Sequence, residues 1–131
     1  MTTRMLVMLS AAIEAATGLA LIAAPDLVAR LLLGDALSAS GIAVARLTGV
    51  ALLCLGLAGW PTAREATPSA VRALFAYNLL AALYLGYLRV GGGFVTFLLW
   101  PACALHALLA LGLACTAYGG VLAVKAERAN K

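Results

Sequence analysis

The 131 residues are 65% hydrophobic and only 11% charged, and the mean hydropathy is +1.06. A soluble domain is about 45–50% apolar and about 25% charged, so this chain has too few charges to surround a soluble core with a polar surface. The formal net charge of +4 does not indicate nucleic-acid binding, because the basic residues are scattered between apolar stretches and form no patch.

The first long apolar run, Leu6 to Ala24, has about the twenty residues that a helix needs to cross a bilayer. Thr2-Thr3-Arg4 could open a signal peptide and Ala23-Ala24 could close one. Glu14 interrupts the apolar region, however, and that region exceeds the roughly 7–15 residues usual for such segments, so a retained transmembrane helix over 5–24 is expected. Pro25 ends it and is suited to the first turn of a new helix. The following stretch, Asp26 to Gly34, is too short to span. It predicts a short helix at the outer interface, with Leu27, Val28, Leu31 and Leu32 on one face and Gly34 at its end.

After a small-residue turn, a second span is expected over 41–60, with Trp60 at headgroup level. Its residues Gly41, Ala45, Gly49, Gly56 and Gly59 suit close helix packing. Pro61 to Pro68 reads as a solvated loop. A third span, 69–90, ends in Tyr84, Tyr87 and Arg89, and Gly91-Gly92-Gly93 turns the chain. The fourth span, 94–122, carries Trp100-Pro101 near its start, where the proline predicts a kink, and leads into a charged tail. The fold class is therefore all-α: a single domain, a four-transmembrane-helix up-down bundle with an interfacial helix after the first span. Arg4, Arg64, Arg72, Lys125, Arg128 and Lys131 share one side of such a bundle, against Arg30 and Arg89 on the other. By the positive-inside rule both termini are cytoplasmic, in a cell inner membrane.

Each span carries one strongly polar residue: Glu14, Arg46, Asn78 and His106. By helix rise, Glu14, Asn78 and His106 lie within roughly 3 Å of their span midpoints, and Arg46 about 7 Å away. Ionisable groups at such depth are costly and usually face a bundle interior or cavity, so the four are expected to converge. Ser10, Glu14 and Thr17 form one stripe on the first helix; Tyr77 and Cys103 are supporting candidates. Glu14 is expected to pair with Arg46, either as a helix-joining contact or as part of a functional site. Cys54, Cys103 and Cys115 show no metal-site or disulfide spacing and read as small buried hydrophobes. No metal site is evident. Haem ligation by His106 would need a second histidine from another subunit, since the chain has one.

Gly18 with its apolar run, then Pro25-Asp-Leu-Val-x-x-Leu-Leu-Leu-Gly34, then Arg46 on the second span, are similar to the DoxX-like group of small four-helix bacterial membrane proteins. That resemblance implies a membrane redox accessory role, since the namesake of the group is a subunit of a terminal quinol oxidase. The single glutamate in the first helix also resembles the small multidrug resistance transporters, from which Arg46 and His106 depart. Three readings follow. The leading one is an accessory or ligand-binding subunit of a membrane redox complex, holding a quinone or another lipid-like molecule. The second is a dimeric proton-coupled transporter with Glu14 as carrier. The third, ranked last, is a membrane enzyme using His106 and Glu14 as acid and base, because no activated nucleophile is evident. The expected partners are the bilayer, other membrane subunits or a second copy.

Overall fold

In the computed structural model, which describes residues 2–61, 66–94 and 96–129 and the side chains of the last helix as far as Thr116, the chain is all-α. Five helices follow one another: α1 (Thr3–Ala23), α2 (Pro25–Leu33), α3 (Ala39–Gly59), α4 (Pro68–Val90) and α5 (Leu99–Ala129). The segments Thr3–Ala23, Ala39–Gly59, Pro68–Val90 and Leu99–Thr116 are long and apolar enough to cross a membrane, as a multi-pass membrane protein requires. The centre of the expected 61–68 loop, residues 62–65 with Arg64, lies outside the described residues, as do 130–131 of the tail.

Local chemistry explains the helix ends. Thr2, Ser38 and Thr67 are N-caps whose hydroxyls accept from the backbone N–H of Met5, Gly41 and Ala70, satisfying donors that a first turn leaves free. Pro25 and Pro68 open α2 and α4, where a missing N–H costs nothing. Gly34 closes α2 in the left-handed region, φ 86°, which a residue without Cβ adopts freely.

Two differences from the sequence expectation concern α5. It begins at Leu99 rather than near Phe94, because the Thr96 hydroxyl donates to the Leu32 carbonyl and ties the preceding turn to α2. Pro101 therefore falls in the first turn, where backbone N–H groups have no intrahelical partner, and the reason for a kink disappears. The helix also continues to Ala129, beyond the expected end at 122.

Packing is uneven. α1 and α3 form one intimate pair and α4 and α5 another. The first pair meets backbone to backbone: a Cβ at Gly18 would lie 2.6 Å from the Gly49 carbonyl oxygen, and one at Gly56 2.6 Å from that of Ala11. Small residues permit this approach, and dispersion contacts hold it in a lipid setting. The two pairs join through a core of Leu6, Val7, Ala11, Val71, Leu74 and Leu113, at the end of the bundle near the α3–α4 connection. There α3 and α4 also touch through Gly59 and Leu74. At the α2 end the pairs are separated by a cavity. Outward faces are apolar, with Val44, Leu47, Leu57, Leu80, Leu83 and Leu108 exposed, as a lipid-facing surface requires.

Cys54 and Cys115 lie on these outward faces and only Cys103 is half-buried, which corrects the expectation that all three are interior. In a bilayer an outward cysteine carries no penalty, so burial does not follow from an apolar setting.

Candidate functional site

Asn78 organises the polar interior. It is fully buried on α4, and its amide nitrogen donates to Ser10 Oγ on α1 and to the Leu74 carbonyl, each at 2.8 Å. Its Oδ1 lies 2.8 Å from His106 Nδ1 on α5. Thus one side chain connects three helices. A backbone carbonyl only accepts, so the amide nitrogen is the end that faces Leu74, and Oδ1 is the end that faces the imidazole. An amide oxygen also only accepts. His106 therefore carries a proton on Nδ1 and donates it to Asn78.

Glu14 lies next to this chain of bonds. It is fully buried, its Oε1 is 4.0 Å from His106 Nδ1, and among the described residues neither carboxyl oxygen has a hydrogen-bond partner. The Tyr77 ring meets the His106 ring edge-on, with centroids 5.8 Å apart and planes at 80°. A buried carboxyl without a partner is a costly arrangement, and such groups mark proton or ligand sites more often than plain packing.

Tyr77 and His106 form the polar end of the cavity between the helix pairs. Its volume is about 760 Å³, all five helices contribute to its wall, and the wall is otherwise mostly aliphatic. Thr17 of α1 and Thr48 of α3 add hydroxyls, and Val28, Leu31 and Leu32 of α2 also line it. The volume is within the range of pockets that hold drug-sized molecules. Leu80 and Tyr84 are at once cavity wall and outward surface, so the cavity opens sideways, toward the region a bilayer would occupy. Glu14 is not part of the wall; it stands on the Nδ1 side of His106.

Of the four expected polar residues, Glu14, Asn78 and His106 come together, with Ser10, Thr17 and Tyr77 beside them. Arg46 does not join them. It is exposed on α3, and among the described residues it makes no ion pair with Glu14. The physical reason is the α1–α3 seam: the small-residue face of α3 packs directly on the α1 backbone, leaving no room for a guanidinium between them. Arg46 is two turns from the start of α3, where a long cationic side chain can reach the membrane interface. The intramembrane Glu14–Arg46 pair is thus corrected to a close approach of Glu14 and His106. Cys103 also stands apart. Its Sγ donates to the Ala82 carbonyl at 3.3 Å and belongs to the α4–α5 contact.

Thr48 was not among the sequence candidates. A lone hydroxyl residue in an apolar span is the signal that could have found it, although its Oγ1 donates to the Val44 carbonyl at 2.9 Å, as such residues commonly do within a helix. Among the described residues no three His, Cys, Asp or Glu side chains group as a metal site. The remaining ring nitrogen of His106, Nε2, is the only imidazole atom that could meet a cofactor.

No family model, curated protein or solved structure matches this chain.

Proposed function

We propose that this chain is a small multi-pass protein of a bacterial inner membrane, with both termini cytoplasmic, that holds a lipophilic molecule with a polar head in its intramembrane cavity. The observation that carries this reading is the combination of an aliphatic cavity of about 760 Å³ with a polar end made by His106 and Tyr77. A quinone-like or other lipid-like molecule suits that combination: its tail meets the leucine walls and its head meets the polar end. The resemblance to DoxX-like proteins agrees with a role as an accessory subunit beside other membrane subunits of a redox complex. Native mass spectrometry of protein gently extracted from its own membrane tests the reading. One lipid-soluble small molecule per chain is expected, lost when Ala81→Trp fills the cavity. An empty protein, or the same molecule in both samples, contradicts it.

A second reading, a dimeric proton-coupled transporter with Glu14 as carrier, is favoured by one specific observation. Among the described residues Glu14 has no arginine partner and no hydrogen bond, so no fixed cation there competes with a substrate for it. Uptake into proteoliposomes separates the two. A carrier loses all proton-coupled uptake with Glu14→Gln, whereas a holding protein shows no uptake in either form and retains its ligand.

A further inference from the structure

The hydrogen-bond sense of the cavity's polar end follows from the bonds its groups already make. His106 Nδ1 donates to Asn78 Oδ1, and that sense is fixed because the Asn78 amide nitrogen is held by the Leu74 carbonyl. In the neutral imidazole the second nitrogen, Nε2, is then an acceptor. Thr48 points the same way: its hydroxyl proton is committed to the Val44 carbonyl, which leaves only oxygen lone pairs for an occupant. Both side chains line the cavity, one on α5 and one on α3, so two independent elements present acceptors to the same space. Thr17 and Tyr77, which also line it, carry hydroxyls that can bond in either sense.

We propose that this polar end is an acceptor site that selects a lipophilic molecule with a hydroxyl head, such as a phenol, hydroquinone or long-chain alcohol, over the matching ether or ketone. The inference rests on the cavity-binding reading and gives its ligand a chemical class. A hydroxyl donates to His106 Nε2 or Thr48 Oγ1; an ether or carbonyl oxygen accepts at most from Thr17 or Tyr77 and leaves both of those acceptors unpaired. A desolvated acceptor left unpaired disfavours the wrong head. The oxidised and reduced forms of a quinone differ in this respect, the reduced form alone carrying hydroxyl donors.

The test is a competition between 4-octylphenol and its methyl ether, 4-octylanisole, for the purified protein in lipid nanodiscs. Bound amounts are read by mass spectrometry and normalised to empty nanodiscs. The wild type is expected to favour the phenol by roughly threefold to tenfold, the size of one net hydrogen bond. The double variant His106→Phe, Thr48→Val keeps an aromatic and a branched side chain without the acceptors and should bring the ratio near one. Equal binding by the wild type, preference for the ether, or an unchanged ratio in the double variant overturns the acceptor assignment while leaving the cavity reading in place. Retention of neither probe overturns both.

Discussion

The two ends of this bundle use the same helices differently. At the end near the α3–α4 connection, Leu6, Val7, Val71, Leu74 and Leu113 fill the space between the helix pairs, and Gly59 lets α3 close on Leu74. At the α2 end the pairs diverge and leave a cavity with a polar wall. The α1–α3 seam runs through both levels, from Ala11–Gly56 to Gly18–Gly49. Close packing therefore resides in the seam and the closed end, and the fold does not depend on filling the open end. The polar chain of Ser10, Asn78 and His106 marks the boundary between the two.

Substitutions can break that contrast at graded strength. Gly56→Val should have the largest effect, because the atoms its side chain would meet include the α1 backbone, which cannot rotate away. A loss of at least about 3 kcal/mol, the upper end for overpacking, is expected in thermal or denaturant unfolding in detergent. Next, Leu74→Ala at the closed end should cost about 2–3 kcal/mol through the cavity it leaves. Leu85→Ala, on the wall of the existing cavity, should cost under about 1 kcal/mol, since its side chain already lacks neighbours on one side. Equal losses would erase the distinction between the two ends.

Asn78→Leu should fall between these, at about 1–3 kcal/mol, because it leaves the His106 Nδ1–H unpaired in the interior. Its more specific consequence is a free imidazole, read as two-fold ring-nitrogen exchange in NMR spectra of the labelled histidine.

The smallest effect concerns α2. Arg30 lies 2.7 Å from Asp26 and the Leu37 N–H donates to the same carboxyl at 2.9 Å. The Arg30 hydrogen bond, foremost, and the Leu37 N–H hold the Asp26 pKa below its ordinary 3.8. The contribution of these contacts is complete above that ordinary value and is lost as pH falls through the lowered one. The pair is solvent-exposed, so only a local loosening of the Leu37 amide in acid is expected, with no change in global unfolding. Asp26→Asn should abolish that pH response.

Much of this architecture was legible from punctuation. Pro25, Gly34, Trp60-Pro61 and Gly91 mark real helix ends because each acts through its own backbone chemistry, independent of distant contacts. Glu14, Asn78 and His106 were legible as a set because depth along a helix is a simple count. The error at Arg46 arose from rotation rather than depth. Its small-residue neighbours read as a polar interior, yet the glycines serve the α1–α3 seam, and sequence spacing alone does not tell which partner a small-residue face selects. The start of α5 at Leu99 depends on the Thr96–Leu32 bond, a contact across 64 residues that no local pattern encodes. The cavity is likewise a property of how the helix pairs diverge, and Thr48 gained its place only from that.

His106 is fixed by Asn78 through Nδ1 and lines the cavity, which leaves Nε2 as its free ring nitrogen. Nitrogen-15 NMR of histidine-labelled protein in lipid nanodiscs tests this arrangement most directly, since the chain has one histidine and every signal is assigned. A protonated Nδ1, a bare Nε2, and a shift of Nε2 alone when 4-octylphenol is added are expected. A proton on Nε2 with Nδ1 bare, or a ring indifferent to saturating ligand, would contradict it.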